Sequence, residues 1–276
     1  MNVSMYTIYA RSLREFDSPV SAFRHFREKG IRYADILSSE LRGGLTFEEY
    51  NAELNEAGMT MGSYVDLHDI ASPDEKMRTE NRKTVRECID KLERYGVKKL
   101  MLAPAVTLAK STDDYKRMRE LLIEGFADAA EYARGSDITV MIENQSVHTR
   151  ADSRADDLLY ILDSVPELYF VFDTGNFFCI GEDALRVYDL FRDRTVHAHV
   201  KDWSYDPLGS FVRPNLPAFE GVAIGDGLVP NRELISRFGE SGFEGNLTLE
   251  VNSARTNFLT VERSADFLLK QTEKFR

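Results

Sequence analysis

Apolar and polar positions alternate along the chain in a pattern that repeats eight times. Short runs rich in β-branched and aromatic residues are each followed by a longer charged segment in which apolar residues recur with helical spacing. This order of strand and helix is typical of repeated strand-helix units around a parallel sheet. The pattern therefore predicts an α/β fold, a (β/α)8 TIM barrel formed as a single domain over residues 1–276.

The predicted strands are short and apolar, as strands covered on both faces should be. They span residues 3–9, 31–37, 60–67, 98–103, 139–144, 168–173, 196–201 and 246–251. The predicted helices span residues 20–29, 47–57, 73–95, 113–134, 155–164, 184–192, 232–240 and 258–274. One long connection, residues 203–230, contains four prolines and four glycines and is predicted to be a functional loop over the barrel mouth.

Composition and charge narrow the classes of partner. Hydrophobic residues make up 43% of the chain, enough for a large core. The formal net charge of −11 would repel the phosphates of nucleic acids and anionic lipids. The chain has no apolar run long enough to span a membrane and no export signal at its start, and its two cysteines lack the spacing of a disulfide or metal motif. We expect a cytoplasmic protein that binds neither nucleic acid nor membrane, while a homo-oligomer stays open.

Four of the later predicted strands carry an ionisable residue near the carboxyl end. These residues, called the ligand cluster below, are Glu143, Asp173, His199 and Glu250. An apolar residue precedes each of them, and side chains of a barrel strand alternate between the interior and the surrounding helices. We therefore expect all four to point into the barrel at its carboxyl-terminal mouth, where the active sites of such barrels lie.

Three carboxylates that face one another in a protein interior need a cation, because an unpaired buried charge is costly. Neither lysine nor arginine is expected at the inward-facing ends of these strands. A histidine beside three carboxylates is a suitable ligand set for one divalent metal ion, with Mn²⁺, Mg²⁺ or Co²⁺ favoured and Zn²⁺ also compatible. His197 shares the inward face one layer deeper and is predicted to orient the site. Alternatively, each of the four residues could only cap a neighbouring helix. This alternative does not explain why all four side chains point inward on their strands.

Five short segments resemble a known family in their order and spacing. They are IEN at 142–144, FDTGN at 172–176, HAHVKD at 197–202, GDGLV at 225–229 and GNLTLE at 245–250. With them, nearly the whole chain resembles the xylose isomerase-like superfamily of sugar phosphate isomerases and epimerases, which includes ketose 3-epimerases, hydroxypyruvate isomerase and inosose dehydratase. The resemblance implies that the ligand cluster binds one metal ion and that Glu143 and Glu250 also act as a pair of acid/base groups.

The implied activity is that of a metal-dependent isomerase or epimerase acting on a small ketose or polyol-derived substrate. It would move a proton next to a carbonyl through an enediolate. A dehydratase of the inosose type is the main alternative, because expulsion of a hydroxyl would use the same groups. An endonuclease-like hydrolase is disfavoured by the acidic composition and by Asn176, which stands where many members have histidine. A non-catalytic sugar-binding barrel is disfavoured by the intact ligand cluster.

Several residues near the predicted mouth are candidates for binding the substrate. His68 lies near the end of the third predicted strand, and Lys201 and Trp203 lie just beyond His199. Asn176 could hydrogen-bond a hydroxyl, and Arg213 in the long connection could hold a carboxylate or phosphate. The structural alternatives are a helix-capping histidine, a surface lysine, a buried tryptophan and a solvated arginine.

Overall fold

Eight parallel strands close into a barrel in the computed structural model of the protein, which describes residues 1–104, 109–211, 217–253 and 255–275. The barrel strands are β1 Asn2–Tyr6, β2 Tyr33–Leu37, β3 Thr60–Asp66, β4 Lys99–Leu102, β5 Thr139–Glu143, β6 Tyr169–Asp173, β7 Thr195–Val200 and β10 Asn246–Leu249. Around the barrel their order is β1-β10-β7-β6-β5-β4-β3-β2. Two further strands, β8 Asp202–Tyr205 and β9 Phe219–Val222, pair as an antiparallel hairpin.

Helices cover the outer face of the barrel, except that the short α1 and α7 lie at its carboxyl-terminal mouth. The helices are α1 Thr7–Ser12, α2 Pro19–Lys29, α3 Phe47–Glu56, α4 Glu75–Arg94, α5 Thr112–Tyr132, α6 Ala155–Ser164, α7 Thr174–Cys179, α8 Ala184–Phe191, α9 Asn231–Glu240 and α10 Phe258–Thr272. Short 3₁₀ helices span Ser38–Gly43 and Glu273–Phe275. Side-chain caps fix several starts: Ser18, Asp74 and Ser111 each accept a hydrogen bond from the backbone N three residues later. Within the described residues, no helix is both long and apolar enough to cross a membrane.

The alternation of strands and helices agrees with the sequence, and the differences lie at strand ends. The first predicted strand spans 3–9, whereas β1 ends at Tyr6 and α1 follows at once. α7 was not predicted; it begins directly after β6 because the Asp173 carboxylate accepts hydrogen bonds from the backbone N of Gly175 and Asn176. The predicted long loop contains the β8–β9 hairpin, whose pairing joins segments far apart in that loop.

Apolar side chains fill both sides of the strand ring, which explains why the strands read as continuous apolar runs. On the outer side, Phe170 stacks on Phe191 with ring centroids 4.5 Å apart, and other aromatic rings extend this layer. On the inner side, a buried cluster fills the upper barrel. Its members are Tyr6, Val65, Met101, Met141 and Val171. This packed interior supports the strand ends at which the ligand cluster lies.

Candidate metal centre

The structure brings the four residues of the ligand cluster together at the carboxyl-terminal mouth. Glu143 and Asp173 are the last residues of β5 and β6, His199 is next to last in β7, and Glu250 directly follows β10. One potential ligand atom from each residue lies within 4.8 Å of the others. Asp173 and His199 are fully buried, whereas 8% and 13% of the Glu143 and Glu250 side chains are exposed.

Hydrogen bonds hold the ligand atoms in place. His199 Nδ1 lies 2.5 Å from Glu143 Oε1 and 3.5 Å from Glu250 Oε2. Asp173 Oδ1 accepts hydrogen bonds from the backbone N of Gly175 at 2.9 Å and of Asn176 at 2.8 Å. Only Oδ2 of Asp173 is left to face the other ligands, so the start of α7 orients this carboxylate.

A lysine lies within the cluster, and the expectation that no inward-facing lysine occurs at these strand ends is wrong. Lys201 Nζ lies 2.8 Å from Asp173 Oδ2 and 2.7 Å from Glu250 Oε1, and only 4% of the side chain is exposed. Lys201 follows β7 two residues after His199, so strand alternation turns it to the same side. Gly175 leaves room for its stem, since a Cβ atom there would lie 2.3 Å from Lys201 Cγ.

The close packing of charges perturbs the titration of the ligand residues. Burial, reinforced by the charges of Glu143 and Glu250, raises the pKa of Asp173 to about 8, although the Lys201 ammonium acts in the opposite direction. Burial alone would lower the pKa of His199, but the Glu143 carboxylate beside it raises this pKa to about 9. The metal-free site therefore retains protons at neutral pH.

The residues present fit a divalent cation. Three carboxylates and one imidazole are ligands that divalent ions of the Mg²⁺, Mn²⁺ or Zn²⁺ type accept. The Lys201 ammonium, already in contact with two of the carboxylates, shows that a cation is favourable at this position. Three carboxylate charges are balanced by one ammonium and one divalent ion if His199 is neutral, so the loaded site would carry no net charge.

A buried network beneath the cluster was only partly predicted. His197 lies there as expected, but its Nε2 is 2.7 Å from Oδ2 of Asp35, a residue of β2 that the sequence analysis did not select. Asp35 also accepts hydrogen bonds from Ser4 Oγ at 3.0 Å and from Thr248 Oγ1 at 2.6 Å. The signal in the sequence was Asp35 itself, an acidic residue inside the otherwise apolar strand β2.

Tyr6 is a second residue that the sequence analysis missed. Its hydroxyl lies 3.2 Å from His199 Nε2, the ring nitrogen that faces away from Glu143. Asp35 Oδ2 lies 3.9 Å from the same nitrogen. Because the Tyr6 hydroxyl also lies 3.5 Å from Nδ1, these polar groups flank the imidazole ring and hold its orientation, as outer partners of metal-binding histidines do.

The predicted substrate-binding residues differ in their surroundings and in their hydrogen-bond partners. His68 Nδ1 lies 2.7 Å from Asp66 Oδ1. Asn176 donates from Nδ2 to the backbone O of Asn144 at 2.8 Å, so part of its amide has a structural partner. Trp203 is 2% exposed, and its Nε1 has no hydrogen-bond partner among the described residues. Arg213 lies outside the described residues. Substrate binding by all of these residues, and by Lys201, stays a prediction.

A cavity of about 470 Å³ opens above the ligand cluster. Glu143 and Glu250 line it, whereas Asp173 and His199 lie beneath its floor. Its volume is in the range of about 300–1,000 Å³ that is usual for small-molecule sites. The two glutamates are therefore the members of the ligand cluster that can reach a molecule bound in the cavity.

The fold and the site define a TIM barrel with a candidate metal centre at its carboxyl-terminal mouth. The sequence profile of the xylose isomerase-like TIM barrel family matches residues 23–271. Because the match covers most of the chain, the protein belongs to this family.

Similar proteins include a curated relative and solved structures. Inosose dehydratase from Lacticaseibacillus casei is 27% identical over 100 residues, which is 34% of this chain and 34% of that protein. The chain therefore matches about a third of the length of this relative. The IOLI protein with a bound zinc atom has a TM-score of 0.78 at 15% identity, over 100% of this chain and 99% of that one. A xylose isomerase-like TIM barrel protein from Mycobacterium smegmatis in complex with magnesium has a TM-score of 0.74 at 18% identity, over 99% of this chain and 96% of that one.

Proposed function

We propose that the protein is a divalent-metal-dependent isomerase or epimerase that moves a proton next to a carbonyl of a small ketose or polyol-derived substrate. The observation that carries the proposal is the position of the two glutamates in the ligand cluster. Both line the cavity, and β5 and β10, which hold them, are separated in the barrel by β6 and β7. A substrate between them would meet one carboxylate on each side.

The roles of the side chains follow from this placement. All four residues of the ligand cluster would hold the metal, which would supply a Lewis acid that stabilises negative charge developing on the substrate oxygens. Glu143 would remove the proton from the carbon next to the carbonyl, and Glu250 would return it to the opposite face or to the neighbouring carbon. Lys201 would remain beside Glu250, with its Nζ 2.7 Å from Oε1, and would hold this carboxylate in position.

We propose a divalent metal ion without assigning one element. The zinc and magnesium in the two structural neighbours support a divalent ion at the ligand cluster. Oxygen ligands outnumber nitrogen ligands by three to one in the cluster, which favours Mn²⁺, Mg²⁺ or Co²⁺ over a thiolate-type zinc site, while Zn²⁺ fits the same donors.

A dehydratase is the second candidate function. It is favoured by the match to inosose dehydratases, although that match covers about a third of each chain. The same glutamate could remove the proton, and the second glutamate could protonate a departing hydroxyl on the neighbouring carbon. The two activities differ in their products, because only dehydration releases water and creates a new double bond.

Deuterium exchange tests the proposal. Protein loaded with Mn²⁺, Mg²⁺, Co²⁺ or Zn²⁺ is incubated with ketoses and inososes in deuterated water, and NMR records deuterium next to the carbonyl and any dehydrated product. We expect exchange that requires metal and falls about 100-fold or more in Glu143→Gln and in Glu250→Gln. Glu167→Gln, an exposed surface change, is the matched control. Exchange by Glu143→Gln at the wild-type rate would show that Glu143 is not the base.

A further inference from the structure

The ring of strand ends around the cavity has two chemically different halves. The ligand cluster comes from β5, β6, β7 and β10, which are neighbours in the barrel. The remaining arc, β1 to β4, presents apolar side chains to the cavity from the strand ends and the residues just after them. This apolar wall consists of Tyr6, Leu37, Val65, Leu67, Met101 and Ala103. One side of the cavity is therefore charged and the other apolar.

The apolar wall is part of the barrel core. Tyr6, Val65 and Met101 are at most 4% exposed and belong to one buried cluster, and Leu37, Leu67 and Ala103 pack against that cluster. Packing of this kind fixes side-chain positions. The apolar character of this side of the cavity is therefore a fixed property of the fold.

The polar groups on the same arc already have partners. The Tyr6 hydroxyl is directed at His199 Nε2, 3.2 Å away. Asp66 Oδ1 accepts a hydrogen bond from the backbone N of His68 at 2.8 Å, and the Thr7 hydroxyl lies 3.0 Å from Glu40 Oε1. Apart from the hydroxyls of Tyr6 and the neighbouring Tyr9, the described part of the wall is therefore a surface of carbon atoms.

Among the described residues, the other polar groups that line the cavity belong to the other half or to the segments that follow it, except the hydroxyl of Tyr9, which follows β1 and is hydrogen-bonded to the backbone of Val251. Gln145 and Arg150 follow β5, Asn252 and Ser253 follow β10, and Ser210 follows β8. The Arg150 guanidinium makes two hydrogen bonds to the Asp152 carboxylate, at 2.9 and 2.6 Å, so its charge is balanced within the protein. The polar lining is thus continuous with the ligand cluster.

From this division we infer that the substrate is amphipathic. Its hydroxycarbonyl end faces the ligand cluster, and a carbon-rich portion, such as a deoxygenated chain end or an apolar ring face, packs on the apolar wall. This inference rests on the proposed function and specifies the substrate class for the same site. A hydroxyl placed on the wall would lose its hydrogen bonds to water without gaining a partner, whereas a methyl or methylene group there is favourable.

Metal-chelating probes test the wall independently of turnover. Pentanohydroxamate and its 4,5-dihydroxylated analogue carry the same chelating group and the same number of carbons. We expect the unhydroxylated probe to bind the metal-loaded protein at least about tenfold more tightly in calorimetry, the discrimination typical of a small apolar contact. Both probes should require metal. As a second measurement, deuterium exchange should be faster for a 6-deoxyketohexose than for the ketohexose of the same configuration.

Matched variants distinguish an effect of the apolar wall on probe binding from the effect of losing any apolar side chain. In Leu67→Gln the preference for the unhydroxylated probe should fall at least about threefold, whereas Leu190→Gln, on the exposed side of α8, should keep it. Val65→Thr, which replaces one methyl group by a hydroxyl, gives the same test if Leu67→Gln fails to fold. Equal or tighter metal-dependent binding of the hydroxylated probe overturns the inference and leaves the proposed function standing. If neither probe shows metal-dependent binding, the proposed function fails and the inference fails with it.

Discussion

Lys201 and Glu250 form a buried ion pair, with Nζ and Oε1 2.7 Å apart, in which the carboxylate is also a candidate metal ligand. The same ammonium lies 2.8 Å from Asp173. The chain therefore holds a cation of its own against two of the three carboxylates. In the absence of metal this lysine contacts both carboxyl groups, and a bound metal ion would share them with it.

Lys201→Met should destabilise the metal-free protein more than the metal-loaded one. Removal of one partner of a buried ion pair leaves the other charge without compensation, and we expect a loss of about 3 kcal/mol in the free energy of unfolding. A saturating divalent metal should restore part of this loss. Urea unfolding with metal and with chelator measures both values.

Lys99→Met is the control for this change. Lys99 is also partly buried in the barrel, but its Nζ donates to the backbone O of Val196 at 2.9 Å and lies outside the ligand cluster. Its effect on stability should be independent of metal. Equal losses in Lys201→Met with and without metal would contradict the role given to Lys201.

Metal binding should strengthen as the pH rises. In the metal-free protein the pKa of Asp173 is about 8 and that of His199 about 9, so both groups hold a proton at pH 7. A metal ion needs both in the deprotonated form, and binding must release these protons. The apparent association constant should therefore rise about tenfold or more per pH unit between pH 6 and pH 8. Calorimetry in buffers of different ionisation enthalpy measures the release, and its absence at pH 7 would refute the prediction.

Asp35→Asn should weaken the support beneath the metal centre. The substitution replaces one acceptor oxygen by a donor in a network where Ser4, Thr248 and His197 all surround the carboxylate. We expect a loss of about 2 kcal/mol in the free energy of unfolding, together with weaker metal binding, as measured by thermal unfolding and metal titration. Asp137→Asn, whose side chain is 83% exposed, should change neither quantity. Metal affinity unchanged in Asp35→Asn would show that the network does not support His199.

Loss of two ligands should remove the metal. Asp173→Ala combined with His199→Ala leaves only the two glutamates of the ligand cluster. After dialysis, elemental analysis should find about one metal ion per chain in the wild type and less than about a tenth of that in the double variant. Asp137→Ala combined with His148→Ala, both on the surface, is the control. Metal content that survives the double substitution would place the metal elsewhere.

Strand periodicity made much of this site predictable. The inward direction of Glu143 or Asp173 follows from alternation within one strand, which is a local property of the sequence. The contacts of Asp35 were not predictable in this way, because its partner Thr248 is 213 residues away and the pairing depends on how the barrel closes. Lys201 was predicted to bind substrate, which stays a prediction; alternation from His199 also turns it inward, but the sequence did not show that its ammonium pairs with Asp173 and Glu250.

The division of the cavity also divides the chain. The apolar wall comes from residues 6–103 and the ligand cluster from residues 143–250, with α5 between the two stretches. Substitutions that reshape the wall can accumulate in the first stretch while the chemical groups in the second remain unchanged. Because Tyr6 and Asp35 of the first stretch also contact His199, an exchange of the first four strand-helix units with those of a related barrel that keeps these two residues is a direct way to change the wall beside the same ligand cluster.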